Sequence, residues 1–279
     1  HSFRTYDWES SGKLVDTCTP ADTTARELAE MMVGTTFATP ESRATEKGEV
    51  LLEARDLTLP APGAFGTPLR GVTFEVRGGE VLGIGGVAGN GQDELLMALS
   101  GERLSAPGSL FLKGQDMSRQ GPAARRAEGL LTGPEERLGH AAAPDMSLTE
   151  NAVLTAALRK GLVKSGFIDW SKTQTFAEEV ISHFDVRTPG PGTAARALSG
   201  GNLQKFVVGR EIAQNPDVLI LNQPTWGVDA AAAAFIRQSI LDVAARGGAV
   251  VVISQDLGEL MEISDRFAAL NEGRLSATR

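Results

Sequence analysis

The rhythm of apolar and polar positions along this chain marks out its elements. Val50–Ala54 and Val72–Val76 are short β-prone runs on either side of a Gly/Pro-rich loop, Pro60 to Pro68, and predict two antiparallel strands. Gly78-Gly79 turns the chain into an apolar strand, Glu80 to Ile84. The stretch GGVAGNGQDELLMAL follows, a Gly-rich loop entering a helix whose Leu95, Leu96 and Leu99 recur at helical spacing. Short strands are expected at 110–112 and 130–132. Helices are expected over Met146–Arg159 and Asp169–Phe184, the second capped by Asp169 and Ser171. A Pro/Gly-rich connector, 187–196, leads to LSGGNLQKFVVGREIAQNPDVLILNQPTWGVD, where Ser199 is a good N-cap. Val218-Leu219-Ile220-Leu221 is apolar without a break, as a strand covered on both faces should be. Asp229 then caps an Ala-rich helix carrying Ile236, Ile240 and Val243. A buried strand (Ala249–Ile253), a helix (Leu257–Ile263) and a strand (Phe267–Leu270) end at the Asn271-Glu272-Gly273 turn. Strands alternating with helices predict an α/β fold, a parallel sheet with helices on both faces.

Residues 1–47 read differently. GKLVDT reads as a turn and a short strand, PADTTARELAEMMV as a helix capped by Asp22 or Thr23 and stopped by Gly34, and 35–48 as a linker. Starting at His1, the chain reads as a piece of something longer. With 279 residues, 42% hydrophobic and 22% charged, it has the composition of a globular protein with a sizeable core. The net charge of −8 argues against a nucleic-acid partner, because a phosphate backbone calls for a basic face. The single cysteine, Cys18, cannot form an internal disulfide, which fits a reducing cytosol. No apolar run approaches the roughly 20 residues that span a bilayer, and the N-terminus does not read as a signal peptide.

Two places could carry chemistry. Gly86-Val87-Ala88-Gly89-Asn90-Gly91-Gln92-Asp93 lies between strand and helix, where a phosphate loop of the form GxxxxGK followed by Ser or Thr would lie. Its glycines would let backbone N–H groups approach phosphate oxygens. Gln92, however, stands where a lysine would neutralise phosphate, and Asp93 where a hydroxyl would hold magnesium. On this loop alone, a ligand-free strand-to-helix turn is an equal reading. The second place is Ser199-Gly200-Gly201, where a capped helix start presents N–H groups at the positive end of a helix dipole, an arrangement suited to an anion.

Taken in order, the Gly-rich loop, LSGGNLQK, the apolar strand ending in Asn222-Gln223-Pro224-Thr225 and the strand ending in Ser254-Gln255-Asp256-Leu257 resemble the ATP-binding subunits of ABC transporters. The resemblance runs from about residue 50 to the end. It is nearest to the C-terminal cassette of two-cassette ATPases serving simple-sugar and nucleoside importers. It implies a P-loop NTPase (RecA-like) sheet, an antiparallel β subdomain and a helical signature subdomain over about 134–197, all within 48–279. Residues 1–47 resemble the end of a preceding cassette. Carried over residue by residue, the resemblance puts Asn222 at the magnesium-side acidic position and Gln223 at the catalytic glutamate. It puts Gln255 at the switch histidine and Glu135 at the glutamine joining the subdomains. Asp229 keeps the acidic end of the loop after the strand, while Trp226 is unusual there. Phe65 is a candidate for stacking on adenine, and equally a loop phenylalanine covering the core edge.

A carboxamide cannot take a proton from water, so general-base catalysis is lost at Gln223. Every group serving the nucleotide on this cassette's own face is replaced together, whereas the signature is intact. The resemblance therefore implies a degenerate cassette. ATP and Mg2+ would be held weakly or not at all by Gly86, Gly89, Asn90, Gly91, Gln92 and Asp93, and Ser199, Gly200 and Gly201 would serve a nucleotide on a first ABC cassette. The implied partners are that cassette, transmembrane permease subunits and, indirectly, a substrate-binding lipoprotein, at the cytoplasmic face of the bacterial membrane. The alternatives are a structural module that binds no nucleotide, a non-transport ABC ATPase and a truncated product.

Overall fold

The computed structural model describes residues 47–63 and 66–278, with the backbone of 6–10 and 13–18. The helix expected over 20–33, most of the 35–48 linker and Phe65 lie outside the described residues. β1 (Tyr6–Ser10) and β2 (Lys13–Cys18) form an antiparallel hairpin.

Strand β3 (Val50–Leu59) pairs antiparallel with β4 (Leu69–Arg77) on either side of the expected loop. Gly79, at φ 78, turns the chain into β5 (Glu80–Gly85), and the Gly-rich loop feeds α1 (Gln92–Ser100). Next come β6 (Leu110–Leu112), β7 (Gln115–Asp116), α2 (Pro122–Ala127) and β8 (Leu130–Gly133). Pro122 suits the first turn of α2, where its missing N–H loses no helical bond. Buried Arg125 on α2 donates to the carbonyls of Ala98 and Leu99, covering the C-terminal end of α1, and burial lowers its pKa to about 10.

Helix α3 (Leu148–Ala156) is shorter than expected at both ends. It starts at a capping box in which Ser147 and Glu150 satisfy each other's backbone N–H, and the chain leaves it in turns over 157–161. A hairpin unforeseen in the sequence, β9 (Val163–Lys164) and β10 (Phe167–Ile168), leads to α4 (Trp170–His183). Asp169 caps α4 by accepting from Lys172 N. Ser171, expected to share the cap, lies inside the first turn, where its carbonyl accepts from Thr175. The order closes with α5 (Gly200–Ile212), β11 (Val218–Asn222), α6 (Ala230–Ala245), β12 (Ala249–Ser254), α7 (Leu257–Ile263), β13 (Arg266–Asn271) and β14 (Arg274–Leu275).

Two sheets result. One runs β14-β13-β5-β12-β11-β8, parallel from β13 to β8 with β14 antiparallel at the edge; the other is antiparallel, β4-β3-β6-β7. The fully apolar strands serve two cores at once. Leu219 and Leu221 of β11 pack with Phe176 of α4 and Phe206 of α5, while Val218 and Ile220 join Leu52, Leu57 and Leu95 on the antiparallel-sheet side. This explains why these strands carry no polar alternation. The consequence for function is positional: the loops at the carboxyl ends of β5, β8, β11 and β12 converge at one edge of the parallel sheet, where α/β folds place their sites.

Candidate functional site

The Gly-rich loop is shaped by positive-φ glycines, Gly89 (φ 83) and Gly91 (φ 109), backbone that side chains rarely adopt. It is tied down from three sides. Asn90 accepts from Glu272 N through Oδ1 (2.8 Å) and from Gly273 N through its carbonyl (2.9 Å), and Thr67 Oγ1 donates to the Gly89 carbonyl at 2.7 Å. The third tie is Gln92. Its side chain, 6% exposed, folds back into the loop, Oε1 accepting from Asn90 N at 3.0 Å and Nε2 donating to the Val87 carbonyl at 2.8 Å. A Cβ on Gly86 would lie 2.6 Å from the Leu270 carbonyl oxygen and 2.9 Å from that Nε2, so the glycine makes room for both.

Asn222 ends β11 fully buried and donates Nδ2–H to Asp93 Oδ1 at 2.9 Å, while its own Oδ1 has no partner. Next to it, Gln223 adopts φ 52 and is buried. Its Oε1 accepts from Ser254 Oγ (3.4 Å) and from the backbone N–H of Gln255 (3.3 Å), so the residues at the expected catalytic and switch positions meet through one side chain and one backbone group. Glu135 faces Asp93 across a cavity of about 440 Å³, also lined by Met97, Glu136, His140 and Trp226. Partial burial raises the pKa of Asp93, with Glu94 adding to it; burial and then Asp93 raise that of Glu135. Ser199, Gly200 and Gly201 do not line this cavity. They stand at the start of α5, Ser199 and Gly200 exposed, with Ser199 accepting from Asn202. Asp229, capping α6, is exposed as well.

Three more side chains belong to this region: Gln204, which closes the signature stretch read from the sequence, and Arg137 and Glu259, which were not foreseen. Glu259 had one legible signal, its place three residues after Asp256, which caps α7 by accepting from Glu259 N.

The parallel sheet, the Gly-rich loop entering α1 and the capped start of α5 define a cassette with the P-loop NTPase fold. Solved cassettes superpose on it. A nucleotide-free ATP-binding cassette from an ABC transporter covers 82% of this chain and 91% of its own, with TM-score 0.65 at 20% identity. A dimeric cassette in a post-hydrolysis state, bound to ADP and Pi, covers 82% and 98%, with TM-score 0.68 at 19%. Residues 69–226 match the ABC transporter family profile, and the chain belongs to that family. Its relatives include the nucleoside import ATP-binding protein NupA of Lactococcus lactis subsp. cremoris, 37% identical over 95% of this chain and 52% of the relative. The glucose import ATP-binding protein of Haloferax volcanii is 38% identical over 95% and 48%. The chain thus spans about half the length of the curated relatives it matches.

The family binds ATP with magnesium, and the loop of this chain does not fit that ligand. One of its backbone donors is taken by Gln92, the expected lysine is absent, and Asp93 brings a carboxylate with raised pKa to where a phosphate would need a hydroxyl and a cation.

Proposed function

We propose that the chain is the second, degenerate cassette of an ATP-driven importer for nucleosides or simple sugars. In this reading it works peripherally at the cytoplasmic face of the bacterial membrane, bound to permease subunits and acting indirectly with a substrate-binding lipoprotein. Its relatives are named for nucleoside, ribose and glucose import, and among its described residues no helix is long and apolar enough to cross a membrane. The hairpin at 6–18 supports reading residues 1–47 as the end of a preceding cassette. Helices α3 and α4 form the helical subdomain, about 134–197, that leans on the permease.

One observation carries the reading: an exposed, intact signature start on the same chain as a phosphate loop filled by its own glutamine. The working surface is therefore the start of α5. Ser199 Oγ and the N–H groups at the positive end of a 13-residue helix cap an anion held by a partner cassette. Gln223, an amide, takes no proton from water, so this face contributes no general base.

The test is Ser199→Arg in the assembled pair of cassettes. ATP turnover should fall about 100-fold at a site whose own residues are untouched. Unchanged turnover would remove the signature from the mechanism.

A further inference from the structure

Residues 224, 225 and 226, which follow β11, are each gripped by a side chain from a different element. Gln204 of α5, 2% exposed, donates Nε2–H to the Pro224 carbonyl at 2.8 Å. Glu259 of α7, 4% exposed, accepts from Thr225 Oγ1 at 2.6 Å and from Ser254 Oγ, at the end of β12, at 2.9 Å. Arg137, from the loop after β8, donates Nη2–H to the Trp226 carbonyl.

The Arg137 contact reaches further than the other two. A Cβ built on Gly200 would lie 2.7 Å from Arg137 Nη1, and one on Gly227 would lie 3.1 Å from Nη2. The guanidinium therefore fills the gap between the first glycine of the signature and the loop after β11. Gly200 leaves space for a side chain of its own chain, independently of any nucleotide. A cation beside the positive end of a helix is unfavourable by itself; the Trp226 carbonyl offsets that. The backbone around Arg137 is anchored as well, because fully buried Arg210 of α5 donates to the Ala141 carbonyl at 2.8 Å.

We infer that Arg137 is a positioning residue that fixes the signature start to the loop ending in Asp229, so that both reach a partner cassette as one rigid face. This rests on the reading of α5 as a donor to that partner. The planar fork suits the task, since one guanidinium nitrogen holds a carbonyl while the other packs on Gly200; an ammonium offers a single point. Gln204 and Glu259 keep the same loop from sliding along β11.

The experiment uses the assembled pair and compares Arg137→Met, Arg137→Lys and Ser199→Arg for ATP turnover. A misplaced donor face should lower kcat about 10- to 100-fold in Arg137→Met. KM for ATP should stay within about twofold, since the partner's own loop holds the nucleotide. Arg137→Lys should fall between Arg137→Met and the parent. On a Ser199→Ala background, Arg137→Met should cause a smaller further loss than in the parent, because one of the groups it positions is already gone. Wild-type kcat in Arg137→Met alongside an inactive Ser199→Arg would overturn the role of Arg137 and leave signature donation standing. A rise in KM alone would make Arg137 a substrate contact and overturn it too. Full turnover in Ser199→Arg would overturn donation, and this inference with it.

Discussion

Asn222 Nδ2 and Asp93 Oδ1 stand 2.9 Å apart, joining the end of β11 to the first turn of α1 across 129 residues of sequence. The pair reverses the expected polarity of the site: the carboxylate is on the helix and the neutral group on the strand. Asp93→Ala would leave the buried carboxamide of Asn222 without any partner, since its Oδ1 already has none. The expected cost is about 1–3 kcal/mol in urea unfolding, with Asp93→Asn costing less.

A second buried polar cluster sets the acid limit of the fold. Glu211, fully buried on α5, meets Arg126 Nη1 at 2.7 Å and Arg210 Nε at 2.9 Å. Burial pushes its carboxyl up, but Arg126 and Arg210 overcome this and hold it below the ordinary value of 4.5. A depressed folded pKa gives stability that is present above the unfolded value and lost as pH falls through the folded one. Glu211→Gln should cost about 3–5 kcal/mol at pH 7 by leaving buried guanidinium charge uncompensated, and should flatten the loss of stability below pH about 4.5. Chemical unfolding at a series of pH values measures both.

Glu259 should behave in the opposite sense. Burial raises its pKa above 4.5, only partly offset by the Thr225 and Ser254 hydroxyls. Its contribution is fully present below the unfolded pKa and is lost as pH rises through the folded one. Glu259→Gln, which keeps a hydrogen-bonding group at the site, should therefore gain stability relative to the parent as pH rises from about 4 to 8. Thermal melting of both proteins across that range checks the sign.

Helix α5 lies so close to the C-terminal end of α4 that a Cβ on Gly209 would come 2.5 Å from the ring of Phe184, the residue after the helix. Gly209→Ala should cost about 1–3 kcal/mol by overpacking, and Gly209→Ala/Phe184→Leu should recover part of it. A double-mutant cycle in denaturant gives the coupling.

Much of this architecture was legible because 81–85 of β5, 218–221 of β11 and 249–253 of β12 are runs without a polar side chain, a pattern that suits a two-sided core. The β9–β10 hairpin was not, since two-residue strands carry no periodicity. Its one signal was Ser165-Gly166, both at positive φ. At the site, the identities of Gln92, Asn222, Gln223 and Gln255 could be read directly, but their partners could not. Arg137 and Trp226 are 89 residues apart and meet only because the sheet brings the ends of β8 and β11 side by side. The fold of Gln92 onto Asn90 and Val87 turns on a side-chain rotamer, which no sequence pattern records.

Direct titration of the chain with a fluorescent ATP analogue and magnesium bears most closely on the central claim, that Gln92 fills the phosphate loop of this cassette. The parent should show no saturable binding up to about 1 mM. Gln92→Lys combined with Asp93→Ser, which empties the loop and restores the missing cation and hydroxyl, should bring binding into the micromolar range. Saturation of the parent at about 10 µM, displaced by ATP and unaltered by those substitutions, would contradict the account.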